Sequence, residues 1–314
     1  MEISCRKFQG KEDYFKLKEF LEDSISVSGP KFYFNVNSLE FGIDFYEDES
    51  YAKAMTNGLS NSFLWFEGDR LIGGIWANRR AQLFINPRDK HRFREMFIAA
   101  EEVVNRYIKE NKETLGINDF SECSWRAFDG DMEIEKVLID NKYQKTDEYW
   151  VLRSFDHKEA IKKHELPEGY YIKTLSELPD ISQVIEIYNQ CLGMEFNELS
   201  LRRAKESPNY KNELDVIVMT TEHMPVALCS GRYDKKNKMA SFEAVACLRE
   251  HRKKGISKAL MFHALTVAKD LGAEISTVFT LTPDQFPAPN RLYESVGFEL
   301  VGNRYTWKSN MLNS

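Results

Sequence analysis

No two cysteines in this chain are spaced as a CxxC pair. The five present (Cys5, Cys123, Cys191, Cys229 and Cys247) are scattered and odd in number. That pattern argues against a zinc site or a disulfide framework, and reduced thiols in a cytoplasmic setting are the expectation. No apolar run approaches the roughly 18 residues needed for a membrane span. The opening Met1-Glu2-Ile3-Ser4-Cys5-Arg6-Lys7 lacks the apolar stretch of a secretory leader. A basic excess is missing too: 43 Lys and Arg stand against 49 Asp and Glu, for a net charge of −6. Nucleic acid as main partner is thereby disfavoured, because gripping phosphate backbones needs a basic surface. A cationic small substrate is compatible with the balance.

What the chain does have is bulk. It carries 21 Phe, 14 Tyr and 5 Trp in 314 residues, enough large rings to fill real cores. At roughly 150 residues per domain this suggests two domains. The clearest break is 157–169, HKEAIKKHELPEG, polar and ending in Pro167 and Gly169. It reads as a connector with one helical turn, giving domains at 1–156 and 170–314.

In the second half, 170–173 reads as a strand and 178–192 as a helix, with Ile181, Val184, Ile185, Tyr188 and Leu192 at helical spacing. The segments 215–220 and 224–233 form a hairpin pattern, and 239–248 a third strand. Residues 256–271 give the strongest helix, with Ile256, Leu260, Ala264, Val267, Ala268 and Leu271 on one face. A strand over 274–281, a short helix over 290–296 ended by Gly297, and a strand over 298–307 follow. The first half repeats this order: strand 2–8, helix 14–21, hairpin strands 63–66 and 71–77, strand 81–85, helix 93–108, then helix, turn and strand over 135–150. A divergent internal duplication explains the match.

The chemistry concentrates in 245–260, VACLREHRKKGISKAL. A strand ends near Cys247, a turn carries Arg252, Lys253, Lys254 and Gly255, and an amphipathic helix begins at once. The first amides of a helix lack intrahelical partners and sit at the positive end of its dipole. With Gly255 allowing a tight bend and three cations nearby, this is an anion cradle suited to a diphosphate.

This arrangement resembles the GNAT superfamily of N-acetyltransferases. Their acetyl-CoA motif is a strand ending V-A-V, a short loop, and [QR]-x-x-G-x-[GA] opening a helix. Here Val245-Ala246-Cys247 ends the strand, and Arg252-Lys253-Lys254-Gly255-Ile256-Ser257 opens the helix, Ser257 replacing the usual Gly or Ala. A second family motif, L-Y-x-x-x-G-F, matches Leu292-Tyr293-Glu294-Ser295-Val296-Gly297-Phe298. The resemblance spans roughly 170–307. It implies an α+β fold, a mixed central sheet flanked by helices, built as two tandem acyl-CoA N-acyltransferase-like domains.

The resemblance also implies roles. Main-chain groups of Val245, Ala246 and Cys247 would pair with the pantetheine arm of acetyl-CoA, and amides from Lys253 through Lys258 would hold its diphosphate. A backbone N–H near Cys247 would stabilise the oxyanion. Tyr293 would protonate the departing thiolate, a suitable task for a phenol with an ordinary pKa near 10. The family asparagine that often lies seven residues before this tyrosine is Phe286 here, and Asn290 is its candidate replacement at the cofactor. Direct transfer needs a neutral amine, hence a base. Glu243 is the candidate, with strand alternation placing it on the face of Val245 and opposite Phe242; Asp284 and His223 are rivals. Cys247 reads as a small packed residue, since no histidine spacing supports a thiolate.

The first half departs from the motif. After Ala81-Gln82-Leu83-Phe84-Ile85 comes Asn86-Pro87-Arg88-Asp89-Lys90-His91-Arg92, without glycine, and Pro87 removes a donor. Where the second half has Tyr293, the first has Leu138 or Ile139. This half is expected to have lost cofactor binding and to serve either as scaffold or as one wall of the acceptor cleft. The functional expectation is an acetyltransferase acting on a primary amine of a small molecule or peptide, with acetyl-CoA as co-substrate and no metal. A non-catalytic acyl-CoA-binding module is the alternative. An aminoacyl transferase acting with tRNA is disfavoured by the acidic balance.

Overall fold

A computed structural model describes residues 3–32, 35–43, 50–76, 82–111, 113, 124–193 and 195–309. The expectations touching Glu2, Ala77, Ala81 and Cys123 lie outside the described residues. The first half gives β1 (Ile3–Lys7), α1 (Lys11–Ser28), α2 (Val36–Ile43), α3 (Tyr51–Gly58), β2 (Ser62–Glu67), β3 (Arg70–Trp76), β4 (Gln82–Ile85), α4 (Phe93–Glu110), β5 (Ser124–Phe128), α5 (Met132–Asp140) and β6 (Tyr143–Asp156). The second half gives β7 (Tyr170–Thr174), α6 (Ser182–Leu192), α7 (Glu198–Ala204), β8 (Tyr210–Thr220), β9 (Pro225–Asp234), β10 (Met239–Cys247), α8 (Ile256–Asp270), β11 (Ile275–Leu281), α9 (Pro287–Val296) and β12 (Glu299–Ser309). Among the described elements each half thus runs strand, helices, three strands, helix, strand, helix, strand: an α+β order stated twice. Among the described residues no helix is long and apolar enough to cross a membrane.

The compact units do not follow chain order. One comprises Met1–Asn35, Met55–Val151 and Gly302–Ser314, the other Val36–Ala54 and Leu152–Val301. In the first unit β1, β2, β3 and β4 form an antiparallel sheet in that order, and β5 pairs antiparallel with the late part of β12, from Arg304↔Phe128 to Lys308↔Ser124. The last strand of the second repeat therefore completes the first unit.

In the second unit β7, β8, β9 and β10 pair antiparallel in sequence, and β11 adds to β10 in parallel. The final residues of β6 join here, and His157 N–H continues to Glu274 O at 2.9 Å. One sheet face packs on α8 through Val216, Val218, Cys229, Phe242, Leu260, Ala264 and Ala268. The other packs on α6 through Ile217, Leu228, Ala244, Ala246, Val184 and Ile187. Burial on both sides explains why β9 and β10 read as near-continuous apolar runs rather than alternating ones. Each fully buried Leu, Val or Ile in this sandwich contributes about 1.5–3 kcal/mol.

Two expectations need correction. The 157–169 connector contains no helical turn. Ile161 and Leu166 instead dock on the α8 side of the core, and Leu166 precedes a proline, which disfavours helical dihedrals there. Val36–Ile43 and Tyr51–Gly58, which the sequence reading leaves without elements, form α2 and α3, and α2 belongs to the second unit.

Candidate functional site

The site begins where two strands part. β10 and β11 pair from Met239↔Ile275 to Phe242↔Val278. Both strands continue, but among the described residues their ladder does not. At that point β10 also bulges: opposite β9, Phe242↔Gly231 is followed by Ala244↔Ser230, leaving Glu243 as the extra residue. A bulge bends its strand and re-aims side chains. The inserted residue also slips the alternation by one. Val245 and Cys247 therefore pack with Phe242 on the α8 side, while Ala244 and Ala246 face α6. The expected sharing of a face by Glu243 and Val245 is thus overturned. Glu243 points instead toward α2, where the Ser38 hydroxyl donates to its Oε1 at 2.7 Å.

Beyond the strand end, Leu248 N–H bonds Val226 O at 2.9 Å, and a 3-10 turn over Arg249–His251 leads into the loop. Lys253 and Gly255 both take left-handed dihedrals, φ 63° and 84°. α8 starts at the next residue. Among the described residues no acceptor is engaged by the amides of Lys253 through Lys258; the flanking amides, Arg252 N to Arg249 O and Ala259 N to Gly255 O, are bonded. Left-handed residues ahead of a helix start turn successive N–H groups into one concavity, an anion nest. The positive helix end reinforces it. A side chain at Gly255 would be strained by its φ and would meet His164 Nε2 at 3.2 Å.

The side chains around the nest divide in role. Arg252 turns back, its Nε donating to Cys247 O at 2.9 Å, so it braces the strand end. Lys253 and Lys254 are exposed, and Lys254 Nζ reaches the Tyr170 hydroxyl at 3.2 Å, which also meets His251 Nδ1 at 2.9 Å. Ile256 is buried and pins the helix start, whereas Ser257 and Lys258 are half-buried. Burial raises the Cys247 thiol pKa, and a hydrogen bond with Ser257 only partly offsets it. A thiol held protonated is a packing residue, not a nucleophile.

Tyr293 sits on α9 with 7% of its surface exposed, its ring edge-on to Phe298 at 5.8 Å. Burial pushes its phenol well above the ordinary value, and the nearby Cys229 and Glu243 push the same way. Asn290 does not take the place expected of it. It is 2% exposed, and its Nδ2 donates to Leu281 O at 2.9 Å and Phe286 O at 2.8 Å. It ties the start of α9 to the end of β11, which leaves no amide donor for a cofactor. Of the rival bases, Asp284 lies in an exposed turn, and His223 bonds the Tyr171 hydroxyl at 2.6 Å in the β8–β9 turn. Neither lies on the bulged strand.

The corresponding place in the first unit is built differently. After β4, Asn86 caps a 3-10 helix over Pro87–Arg92, its side chain accepting from Arg88 N at 3.0 Å. Asp89 is buried and paired with Arg70 at 2.7 Å. A carboxylate and a self-capped turn stand where the second unit has free amides. On α5, Leu138 is buried and Ile139 exposed, and neither offers a hydroxyl.

Sequence reasoning missed Ser38, although Val36, Leu39 and Ile43, all fully buried, already stand three and four apart as a helix face requires.

The model of the acetyltransferase (GNAT) family matches residues 181–298. Among solved structures, a GCN5-related N-acetyltransferase from Sphaerobacter thermophilus is similar at a TM-score of 0.60 and 14% identity, over 98% of this chain and 95% of that one. A tandem GNAT protein from the clavulanic acid biosynthesis pathway gives 0.61 at 13% identity, over 98% of both chains. A GNAT-family acetyltransferase from Colwellia psychrerythraea gives 0.60 at 12% identity, over 99% of this chain and 100% of that one. No curated protein matches in sequence. Identities of this size speak for the fold, and the family match for the region that holds the nest. The chain has the tandem GNAT fold, and its residues 181–298 match the model of the GNAT acetyltransferase family.

Proposed function

We propose that the second unit binds acetyl-CoA and transfers its acetyl group directly to a primary amine of a small molecule or peptide. The observation that carries this reading is the nest: Lys253 and Gly255 left-handed, and unengaged amides from Lys253 to Lys258 at the start of α8. It lies directly after a strand whose neighbour has parted from it. The opening past Phe242 offers the edge of Val245, Ala246 and Cys247 to an extended amide-bearing arm, and the nest takes the diphosphate. When bound, acetyl-CoA supplies the acyl group as a thioester.

The chain's own groups do the proton work. Glu243 is the base that relieves the incoming ammonium of its proton. Tyr293, kept protonated by burial, donates to the leaving sulfur. Groups in such roles typically supply 10²–10⁴-fold each. The first unit, with the self-capped turn of Asn86 where the nest would be and Leu138 and Ile139 where the phenol would be, holds no donor site in this reading. The free thiols of Cys5, Cys191, Cys229 and Cys247 fit a reducing compartment such as the cytoplasm.

The test is thiol release from acetyl-CoA across a panel of n-butylamine, ethanolamine, lysine and a short peptide with a free N-terminus, alongside calorimetric titration with acetyl-CoA. Saturable binding with amine-dependent thiol release supports the reading. Binding without release for any amine makes the protein an acyl-CoA-binding module, and no binding removes the assignment.

A further inference from the structure

We infer that Ser38 is a positioning residue for Glu243, so that the first half of the chain contributes to the acyl-transfer site of the second. This rests on the reading of Glu243 as the base. The argument begins with how firmly α2 is held. Val36, Leu39 and Ile43 are fully buried, and so are two polar residues on the same short helix, Asn37 and Glu40. A buried polar group is costly unless bonded, and both are. Asn37 Nδ2 donates to Ser241 Oγ at 3.1 Å, and Asn37 Oδ1 accepts from Asn209 Nδ2 at 2.9 Å. Glu40 Oε2 accepts from Asn209 N–H at 2.9 Å. Ser241 in turn meets Thr277 Oγ1 at 2.9 Å. This network ties α2 to β10 and β11 within the last ladder rungs before the strands part.

Ser38 lies between the two anchors in sequence, and its hydroxyl donates to Glu243 Oε1 at 2.7 Å. Glu243 is the bulged residue, so regular pleating does not dictate its direction. A hydrogen bond from a rigidly mounted donor supplies that direction instead. A hydroxyl donor also favours the ionised carboxylate over the protonated one, which is the form a base must take. Ser38 touches neither reacting atom and acts through Glu243.

The test is a double-mutant cycle in the full chain, with the amine that the parent acetylates fastest in the panel above. Ser38→Ala should lower kcat roughly tenfold, as expected for a misaimed catalytic group, with the KM for acetyl-CoA unchanged. Ser38→Thr, which keeps the hydroxyl, should restore most of the rate. In a Glu243→Gln background, Ser38→Ala should cost nothing further, because there is no carboxylate left to aim. Thermal unfolding of each variant checks that the fold is intact. Parental kcat in Ser38→Ala, or an equal loss in both backgrounds, overturns the role of Ser38 and leaves Glu243 standing. Parental kcat in Glu243→Gln removes the base assignment, and the inference with it.

Discussion

Replacing Gly255 by glutamate puts a carboxylate into the mouth of the nest, and the size of the effect can be worked out. Two costs arise. Gly255 has φ 84°, where a residue with a Cβ is strained by roughly 1–2 kcal/mol; the displaced neighbour, His164, is a side chain and can yield. The second cost is charge. A carboxylate about 6 Å from one phosphate charge is repelled by roughly 0.7 kcal/mol in bulk-water dielectric and about 2.8 kcal/mol at an effective dielectric of 20. A diphosphate carries about two charges, so even the watery limit gives ~1.4 kcal/mol, a tenfold weakening. Backbone strain adds to that if the free loop relaxes. Calorimetry with acetyl-CoA should therefore show Kd rising at least tenfold. The loss should shrink at high salt, because the group is exposed and screened. Gly255→Asn separates the costs, since asparagine tolerates left-handed dihedrals and adds no charge; it should keep most of the affinity. An unchanged Kd in Gly255→Glu would refute the nest as diphosphate site.

Tyr293→Phe should lower kcat by roughly 10²-fold or more while acetyl-CoA affinity by calorimetry changes little; equal kcat removes the phenol from the reaction. Leu260→Ala, at a fully buried position of α8, should cost about 2–5 kcal/mol of stability, read as the shift in a denaturant midpoint. His157 is held at a pKa of about 4, below its ordinary 6.5, by burial first and by the Lys269 charge second. Its contribution is thus fully present above pH 6.5 and fades as pH falls toward 4, because the unfolded chain binds the proton more readily. The melting temperature should drop across that window, and His157→Gln should flatten the drop. Residues 157–314 produced alone should fail to give a cooperative melt, because the second unit would lack Phe155 and the buried Val36, Leu39 and Ile43; a fragment melting like the full chain would contradict this.

Most second-half elements were legible in the sequence, and the reason is physical. α8 has a sustained helical period, and β8 and β9 sit around a tight turn, so local patterns and final structure agree. The tight bend into α8 was legible because glycine, cations and a helix start are adjacent in sequence. Glu243's direction was not, since a bulge is set by strand pairing and a period-two argument assumes none exists. Asn290 was misplaced for a similar reason: its partners, the carbonyls of Leu281 and Phe286, are invisible to a motif. The bond from Arg252 Nε to Cys247 O is likewise out of a motif's reach. The hardest part was α2, whose short apolar face reads clearly enough but whose destination lies some two hundred residues onward, in Ser241 and Glu243.

The exchange of terminal strands carries a cost in the order of synthesis. β5 waits for Arg304 to Lys308 before it has its antiparallel partner, so the unit begun first on the ribosome is finished last. Until then its hydrogen-bonding edge stays open, a state in which nascent chains attract chaperones or pair with the wrong strand.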